Sequence, residues 1–592
     1  MGTETPYRQR DHLEYPELTM FQMIKRVALE HPNEPAYEFY GKKTTYWRFL
    51  KRIERAARAF WQAGIGPGDV VTICMPNTPQ ALDCFYAVNR IGAIANMVHP
   101  LSAQNEITHY LKKTNSRIIL TPDLFYEKVR RALDGVGHPV RILTARIQDE
   151  LLPHLAAAYV VKKGKDYLAF PNRVQDELWT TFVLRAHPKT ALPEPKYDPE
   201  RTSVILYSGG TSGPPKGICL SDLNFNACAL QAVEAIGETF RTGLKMLSCM
   251  PIFHGFGLGI NIHTVVIHGA CCILMPTFTD ETYAQMLIRK RPHFIAGVPT
   301  IFEALLRNPE LEGKDLSFLR GMFCGGDALS AELKKRIDLF LVRNHARIQV
   351  REGYGLTECV TASCLTPRDD SREGSIGLPF PDTEYRIVRP GTDEILPPGE
   401  EGEIILTGPT VMLGYYKDEA ATAKTLRTLS DGRRWLYTGD LGCMDEDGFV
   451  YFRQRMKRMI ITNGYNVYPS RIEKIIDSCP GVEYSCVIGV RDPRRMQRVR
   501  AYVVLSEGVP ADDGTRNMIL QKLRKNIAAY AIPKEIVFRE ELPRTLVGKV
   551  AYSVIQEEAD REEAASGGEQ DAGAGGAQDI IIDEAAEAGG EA

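Results

Sequence analysis

The chain contains 592 residues, of which 44% are hydrophobic, so it is long enough to form several domains of a soluble globular protein. Its 13 cysteines form no Cys-x-x-Cys pair, which favours reduced and mostly buried thiols in a cytosolic protein. The formal net charge of -3 conceals a body that is basic by about eight charges, because residues 556–592 are strongly acidic; such a body suits small anionic ligands, and no nucleic acid partner is expected.

The N-terminal part alternates between predicted helices and strands. Residues 1–10 are polar and predict no signal peptide. Residues 17–62 predict an amphipathic helix, a hairpin around Gly41 and a second helix. A strand at 70–75, a helix at 79–95 and a strand near 117–120 are predicted next. Strands that alternate with helices of this length predict parallel, doubly wound α/β layers.

Two apolar stretches raise the question of membrane contact. Residues 151–167 combine an apolar cluster with Lys162, Lys163 and Lys165, which fits a surface-seeking amphipathic helix or a packed helix with a basic end. Residues 258–275 carry no formal charge, but histidines and Gly269 interrupt them, so we predict a buried helix, turn and strand. The expected location is the cytoplasm, with peripheral contact at the inner face of the membrane left open.

A glycine-rich loop follows the predicted strand at 203–207. Its polar and flexible members are Ser208, Gly209, Gly210, Thr211, Ser212, Gly213 and Lys216. Glycines let the backbone turn several N–H groups into one concavity, and hydroxyls with a lysine beside it favour polyanions. The alternative is a surface turn, which this composition alone would usually mean. The Walker A pattern G-x-x-x-x-G-K-[ST] does not fit these residues.

The pattern of hydrophobic residues changes in the last part of the chain. Short alternating runs broken by Gly and Pro at about 374–452 predict an antiparallel β subdomain. Residues 456–555 predict a small α+β domain, and residues 556–592 predict a disordered acidic tail. The expected organisation is therefore an N-terminal domain at 1–455, a C-terminal domain at 456–555 and the tail.

Four motifs in order carry a resemblance to a known superfamily. Residues 207–217 (YSGGTSGPPKG), 354–358 (YGLTE), 437–440 (YTGD) and 543–549 (PRTLVGK) resemble the successive core motifs of the acyl-adenylate-forming, AMP-binding superfamily. The resemblance extends over residues 18–555. Within the superfamily the chain looks most similar to bacterial long-chain fatty acyl-CoA synthetases, on the segments 254–261, 353–359, 374–379, 411–415 and 464–469.

The resemblance implies a fold and an activity. The implied fold is a large N-terminal domain of doubly wound α/β layers with a β subdomain, followed by a small mobile α+β C-terminal domain. The implied enzyme is an ATP-dependent, AMP-forming acyl-CoA synthetase for a medium- to long-chain fatty or similarly apolar carboxylic acid. The acid attacks the α-phosphorus of ATP, pyrophosphate leaves, and the thiol of CoA then displaces AMP. ATP, Mg²⁺ and CoA are therefore implied, and a homodimer is left open.

By resemblance, the phosphates and the metal have assigned residues. Residues 208–213 wrap the β- and γ-phosphates, and Lys216 closes the loop. Thr357 contacts the α-phosphate, while Glu358 holds Mg²⁺ with the hydroxyl of Ser208 beside it. A carboxylate next to a triphosphate would repel it unless a cation lay between them, which supports the metal role.

The same resemblance assigns the nucleoside. The adenine slot is lined by Gly325, Gly326, Asp327, Tyr354 and Gly355. Asp440 accepts hydrogen bonds from both ribose hydroxyls, and Arg455 bonds the ribose from a hinge at 455–458. Gln454 and Arg458 depart from the family pattern at this hinge, where a glycine and an aspartate are usual.

The remaining assignments concern the acid and CoA. Lys549 resembles the lysine that bridges the carboxylate and the α-phosphate, and His254 resembles the group flanking the acyl carboxylate, with a buried structural histidine as the alternative. Small residues at 255–262 are expected to leave room for the acyl chain. Gly464 and Tyr465 face the pantetheine. An arginine cluster meets the CoA phosphates or forms a solvated face: Arg491, Arg494, Arg495, Arg498 and Arg500.

Two other functions remain open at this point. One is an adenylating enzyme that passes the acyl group to a carrier protein instead of CoA. The other is a non-catalytic protein that binds an acyl group or a nucleotide. Retention of Thr357, Glu358, Asp440 and Lys549 together argues against the second.

Overall fold

The computed structural model describes residues 12–163, 176–194, 196–207, 215–238, 240–462, 465–492, 496–545 and 549–567. The chain divides into two compact units. The larger unit reaches Lys457 and also includes Arg544–Lys549, whereas the smaller unit contains Arg458–Pro543 and the residues from Val550 onward. Both units contain helices and sheets, which confirms the predicted α/β class with a large N-terminal and a small C-terminal domain.

The strands are numbered along the chain. Those of the larger unit are β1 Pro35–Phe39, β2 Lys42–Thr45, β3 Val70–Ile73, β4 Ile94–Met97, β5 Ile118–Pro122, β6 Arg141–Ala145, β7 Glu177–Leu178, β8 Val204–Tyr207, β9 Gly217–Leu220, β10 Lys245–Ser248, β11 Cys271–Leu274, β12 Phe294–Gly297, β13 Gly321–Gly325, β14 Val350–Tyr354, β15 Cys364–Leu365, β16 Leu378–Pro379, β17 Glu384–Val388, β18 Gly402–Thr407, β19 Gly414–Tyr415, β20 Leu426–Thr428, β21 Arg434–Met444 and β22 Val450–Arg455. Those of the smaller unit are β23 Ile460–Thr462, β24 Tyr465–Val467, β25 Val482–Asp492, β26 Met496–Leu505 and β27 Glu535–Arg539.

The helices are numbered in the same way. They are α1 Met20–Glu30, α2 Tyr46–Gln62, α3 Pro79–Arg90, α4 Gln104–Thr114, α5 Tyr126–Leu133, α6 Pro153–Lys163, α7 Trp179–Leu184, α8 Asp222–Ile236, α9 Thr264–Ile267, α10 Asp280–Lys290, α11 Pro299–Arg307, α12 Ala331–Arg343, α13 Glu419–Thr425, α14 Pro469–Asp477, α15 Asp513–Asn526 and α16 Tyr552–Gly567. A π-helical segment, Phe256–His263, runs directly into α9.

Two mostly parallel sheets form the core of the larger unit. Among the described residues, nine strands form the first sheet in the order β16-β15-β14-β13-β12-β10-β11-β1-β2. Eight described strands form the second sheet in the order β19-β9-β8-β4-β3-β5-β6-β7. The central pairs are parallel and the antiparallel pairs lie toward the edges. Strands such as β3 and β12 are buried along their whole length, as expected where helices cover both faces of a sheet.

Local capping residues set the beginnings of several helices. Thr19 accepts a hydrogen bond from the Gln22 amide, and the Gln22 side chain accepts one from the Thr19 amide in return. Ser221 and Asn224 make the same reciprocal pair at the start of α8. Such capping boxes satisfy amide groups that have no partner within the helix, so these helix starts are encoded by adjacent residues.

The predicted antiparallel β subdomain is present. Strands β17, β18, β21 and β20 pair in that order, and β22 pairs with β21; all of these pairs are antiparallel. The long strand β21 therefore has β18 on one side along its length and β22 on the other side at its C-terminal half. This arrangement brings Asp440 on β21 directly opposite Arg455 on β22.

The smaller unit is a sheet with helices on both faces. Alternate residues of β25 and β26 point to opposite faces, and they belong to two separate hydrophobic clusters. Residues of α14 and α15 complete one cluster, whereas Ile555 and Ala559 of α16 complete the other. The start of the predicted disordered tail at residue 556 was therefore wrong, because α16 is needed to cover an apolar face. Residues 568–592 lie outside the described residues.

The structure describes the second apolar stretch considered for membrane contact in full and the first as far as residue 163, since residues 164–167 lie outside the described residues. The second forms the π-helical segment, α9 and β11, which confirms the predicted buried helix, turn and strand. The first contains α6, in which Leu155 and Tyr159 are half-buried while Val161 is 81% exposed. No helix in the described parts of the chain is long and apolar enough to cross a membrane. All 13 cysteines are free and buried, as predicted.

Candidate active site

The carboxyl ends of two neighbouring parallel strands bring the nucleoside residues together. Strand β13 ends at Gly325, and β14, beside it, ends at Tyr354. A Cβ atom at Gly325 would lie 2.9 Å from the Gly353 carbonyl oxygen, so the strands approach too closely there for any side chain. Gly326 has a positive φ of 82°, a conformation that favours glycine, and it leads into Asp327. The residues predicted to line the adenine slot therefore lie together along one edge of the first sheet.

A buried carboxylate faces this edge from the β subdomain. The Tyr354 hydroxyl donates a hydrogen bond of 2.7 Å to Asp440 Oδ2, and Arg455 Nε lies 3.4 Å from Asp440 Oδ1. Asp440 is only 2% exposed. Burial raises the pKa of Asp440, and the neighbouring Arg455 guanidinium opposes that shift. Three of the predicted nucleoside-binding residues are thus in direct contact, and the carboxylate can accept hydrogen bonds from paired hydroxyls.

Lys549 belongs to the larger unit and lies beside this group. A Cβ atom at Gly326 would lie 3.7 Å from Lys549 Nζ, so the ammonium group sits over a glycine. Burial lowers the pKa of Lys549, while the carboxylates of Asp327 and Asp440 act in the opposite direction. The site therefore holds a desolvated cation next to two carboxylates.

His254 is neutral in this environment. Burial, with the Lys549 ammonium as a second cause, lowers the pKa of His254 to about 3. Its Nδ1 atom accepts a hydrogen bond of 3.2 Å from the Phe256 amide, which fixes the ring at the start of the π-helical segment. The structure brings His254 close to Lys549, and a neutral imidazole there can contact an anion but does not carry charge near pH 7.

A second cluster surrounds Glu358, which lies in a short 3₁₀ turn after β14. The Tyr415 hydroxyl donates a hydrogen bond of 2.9 Å to Glu358 Oε1. Lys216 Nζ lies 4.7 Å from the centre of the Tyr415 ring. Burial raises the pKa of Glu358, and the bond from Tyr415 opposes that shift. No role was predicted for Tyr415 from the sequence, although it lies at the end of one of the recognised segments.

Comparison with protein families identifies this arrangement. The model of the AMP-binding enzyme family matches residues 24–416, and the model of the AMP-binding enzyme C-terminal domain matches residues 471–549. The chain belongs to the AMP-binding enzyme family. Its place in the family is that of an AMP-forming acid–thiol ligase, which confirms the resemblance predicted from the four motifs.

Relatives of this AMP-forming ligase act on different acids. A long-chain-fatty-acid–CoA ligase of Bacillus subtilis (strain 168) is 32% identical over 92% of this chain and 95% of the relative. A feruloyl-CoA synthase of an Amycolatopsis species is 30% identical over 90% of this chain and 97% of the relative. The structure of ATP-bound MatB from Rhodopseudomonas palustris has a TM-score of 0.78 and 26% identity, covering 91% of this chain and 99% of that one. An ATP-bound relative supports the use of ATP by this ligase.

Part of the predicted phosphate and CoA site falls outside the described residues. This applies to Ser208, Gly209, Gly210, Thr211, Ser212 and Gly213 of the glycine-rich loop, and to Gly464. Tyr465 begins β24, but its side chain is outside the description as well. Thr357 lies in the 3₁₀ turn next to Glu358. The predicted roles of these residues therefore stay predictions.

Two of the glycines after His254 lie against the backbone and side chain of the turn that follows Glu358, and the expectation that this segment leaves room for an acyl chain stays a prediction. Cβ atoms at Gly255 and Gly355 would lie 1.8 Å from the carbonyl oxygens of Val360 and Thr361, respectively. A Cβ atom at Gly259 would lie 3.0 Å from the Val360 side chain. Val360 has φ of 67°, which is strained for a β-branched residue. In this ligase the space above these glycines is thus occupied by the turn that follows Glu358.

The predicted arginine cluster is partly engaged by acidic side chains. Arg500 is 7% exposed at its side chain and pairs with Glu535, Glu562 and Glu563. Arg498 also pairs with Glu563. Arg500 is therefore neither a solvated residue nor an open phosphate contact, because α16 and β27 neutralise it. Arg494 and Arg495 lie outside the described residues, and Arg491 is exposed.

The oxygen ligands near Glu358 suit a hard cation such as Mg²⁺ if the substrate phosphates supply its remaining ligands. Within the described residues, no group of three or more His, Cys, Asp or Glu side chains is arranged to hold a metal ion. Glu358 nevertheless offers a half-buried carboxylate whose ionised form is disfavoured by the loss of water, so a cation beside it would be stabilising. Mg²⁺ commonly binds through one or two carboxylates together with substrate phosphates, and Glu358 fits that mode.

Proposed function

We propose that the protein is an ATP-dependent, AMP-forming acyl-CoA synthetase that activates a medium- to long-chain fatty or similarly apolar carboxylic acid. The observation that carries the proposal is Lys549, desolvated beside Asp327 and Asp440 and close to the neutral His254. An adenylating enzyme must hold a carboxylate against the α-phosphate of ATP, and a buried cation at that point would offset both anionic charges. The relatives that are long-chain-fatty-acid–CoA ligases favour the apolar acid.

The chemistry divides into two half-reactions at one centre. The acid carboxylate attacks the α-phosphorus, an oxygen–phosphorus bond forms, and the bond to pyrophosphate breaks. The CoA thiolate then attacks the acyl carbon, and AMP leaves with the electron pair of the acyl–oxygen bond. We assign Asp440 to the ribose hydroxyls, Thr357 and Lys549 to the α-phosphate, and His254 to the wall beside the carboxylate. Their task is positioning and charge compensation, as in other phosphoryl-group chemistry.

Mg²⁺ and CoA belong to the same proposal. Glu358 would hold Mg²⁺, which neutralises phosphate charge when bound. We assign the pantetheine of CoA to Gly464 and Tyr465, as the family resemblance implies. We also propose the cytoplasm as the location, with peripheral membrane contact, and we leave the homodimer as a hypothesis for solution measurement.

A panel of acids scored by pyrophosphate release tests the activity. Palmitate and other apolar acids should release pyrophosphate with ATP, and acyl-CoA should accumulate only when CoA is added. Hydroxylamine should trap the acyl-adenylate as a hydroxamate when CoA is absent. If no acid in the panel releases pyrophosphate, the protein is a binding protein and the proposal fails.

Two changes to the assay distinguish the alternative functions: a different acid and a different acyl acceptor. The feruloyl-CoA synthase relatives favour an aromatic acid as the second candidate, so ferulate is included in the panel. A kcat/KM for ferulate above that for every fatty acid would replace the apolar aliphatic substrate by an aromatic one. Acyl transfer to a carrier protein with no transfer to CoA would identify the other alternative acceptor.

A further inference from the structure

A short segment joins the two core sheets at the phosphate end of the site. Strand β19 pairs antiparallel with β9, the strand that directly follows the glycine-rich loop and Lys216. Immediately before β19, the Met412 amide donates a hydrogen bond of 2.8 Å to the Glu358 carbonyl oxygen. The segment 412–416 is therefore bonded to the second sheet through β9 and to the turn after β14 of the first sheet.

Tyr415 repeats this connection with its side chain. Its hydroxyl donates to Glu358 Oε1 at 2.9 Å, and its ring supports the Lys216 ammonium at 4.7 Å. Lys216 directly precedes a strand of the second sheet and Glu358 follows a strand of the first sheet, so one side chain contacts a charged group next to each sheet. Tyr415 is only 9% exposed, which limits the orientations that the ring can adopt.

Tyr415 also contacts two groups of opposite charge. Lys216 and Glu358 form no ion pair with one another in the described part of the chain, although both contact Tyr415. A direct pair would satisfy the carboxylate with the ammonium, leaving neither fully available to a cation or a phosphate. An aromatic face attracts an ammonium group and a phenol hydroxyl donates to a carboxylate, so one tyrosine satisfies both groups while keeping them apart.

We propose that Tyr415 is a positioning residue for the adenylation step, which orients Glu358 for the metal and holds Lys216 for the phosphates. This role rests on the proposed function, because it gives Glu358 and Lys216 their ligands. A phenol oxygen is needed for the carboxylate and an aromatic ring for the ammonium, so the two parts of the side chain can be removed separately.

Tyr415→Phe removes the hydroxyl and retains the ring. It should weaken binding of Mn²⁺ to the enzyme–ATP complex about tenfold, measured by electron paramagnetic resonance, because one hydrogen bond to a charged group is lost. ATP affinity measured in EDTA should stay within about twofold, since the ring still supports Lys216. The Mg²⁺ concentration for half-maximal pyrophosphate release should rise by a similar factor of about ten.

Tyr415→Leu removes the ring as well. In EDTA it should weaken ATP binding about threefold to fivefold relative to Tyr415→Phe, because the cation–π contact is lost. The matched control is Tyr416→Phe, which removes a hydroxyl from the neighbouring residue of the same segment. Its Mn²⁺ and ATP affinities should equal those of the wild-type protein, and thermal melting curves establish that each variant is folded.

The outcomes decide the two proposals separately. Unchanged Mn²⁺ affinity in Tyr415→Phe overturns the positioning role, and so does an equal loss of ATP binding with and without metal, which indicates a merely structural role. A metal-specific loss supports it. Both affinities are measured by binding, so they remain informative even if the wild-type protein releases no pyrophosphate; that result would reject the proposed function alone.

Discussion

At the scale of single residues, burial controls the charged groups of the site. It raises the pKa of Asp440 and Glu358, and it lowers the pKa of Lys549 and His254. In all four cases burial disfavours the charged form. Ribose hydroxyls, a divalent cation and phosphate oxygens are groups that would restore the interactions these side chains lose on leaving water. The proposed substrate ATP, with its ribose hydroxyls and phosphates, carries both kinds of group.

Lys549→Ala should impair the adenylation half-reaction and leave the thioester half-reaction nearly unchanged. Removing this half-buried cation should lower acid-dependent pyrophosphate release by a factor of about 100 or more, as expected when one preorganised charge is removed from a reacting phosphate. Thioester formation from supplied acyl-AMP should stay within about threefold of wild type, because the phosphate bond is then already broken.

The control for Lys549→Ala is Arg544→Ala, an exposed residue of the same Arg544–Lys549 segment. It should leave both half-reactions unchanged. Equal losses of the two half-reactions in Lys549→Ala would mean that the lysine does not act on the adenylation step.

The raised pKa of Asp440 leads us to expect that nucleoside binding depends on pH. Because burial raises its pKa, this carboxylate takes up a proton at higher pH than an ordinary aspartate as the pH falls. The protonated form accepts hydrogen bonds poorly, so affinity for adenosine should decrease as pH is lowered toward the raised pKa. Adenosine is the suitable ligand because it has no phosphate that titrates or binds metal.

The variant Asp440→Asn provides the comparison for this titration. It should bind adenosine about tenfold more weakly at neutral pH, since a charged acceptor is lost, and its affinity should vary little between neutral pH and pH 5. Saturation-transfer NMR measures the affinities. A wild-type profile that is as flat as that of the variant would contradict the assignment of Asp440 to the ribose.

At the scale of elements, the positions of two segments are set by the surfaces against which they pack. The strained turn at Val360 fills the space above Gly255 and Gly259, which links the His254 segment to the Glu358 segment. Helix α16 covers the second apolar face of the sheet in the smaller unit. Neither feature follows from local propensity. Both depend on packing against residues that are distant in the sequence.

Ile555→Ala should destabilise the smaller unit by about 2–5 kcal/mol, because a fully buried side chain is removed from its core. The adjacent Val554 is 41% exposed, so Val554→Ala is the matched control and should change stability by less than about 0.5 kcal/mol. Hydrogen exchange of the β25 and β26 amides measures the effect. Equal protection in the two variants would show that α16 is not part of that core.

At the scale of the whole molecule, hydrophobic clusters are distributed over two units. The largest cluster lies in the larger unit, and two further clusters lie in the smaller one. The chain crosses between units more than once, because Arg544–Lys549 belongs with the larger unit although the residues on either side belong to the smaller. Lys549, the proposed catalytic lysine, therefore belongs to the larger unit although the chain on either side of its segment belongs to the smaller one.

Calorimetry should resolve two unfolding transitions, since each unit has its own core. Palmitoyl-sulfamoyl-adenosine, a stable analogue of the acyl-adenylate, should raise the transition of the larger unit because Tyr354, Asp440 and Lys549 all belong to it. Ile555→Ala should lower only the other transition. A single transition that both changes move together would contradict independent cores.

Much of this organisation was predictable from the order of residues along the chain. The α/β class followed from alternating strands and helices, and motifs that resemble those of the family singled out Tyr354, Asp440 and Lys549, which the structure brings close together. The hydrogen bond between Tyr415 and Glu358 was not predictable, because the two residues are 57 positions apart and no sequence motif links them. The engagement of Arg500 by α16 was missed for the same reason.

The sequence by itself determined the family, the fold class and the identity of most charged groups at the site, because these depend on local patterns and residue chemistry. Only the tertiary structure decided which groups touch. The glycines after His254 illustrate the difference: their small size was evident from the sequence, but the close approach of Val360 to Gly255 and Gly259 was not. Packing at such points brings distant segments together, and no local pattern encodes those distances.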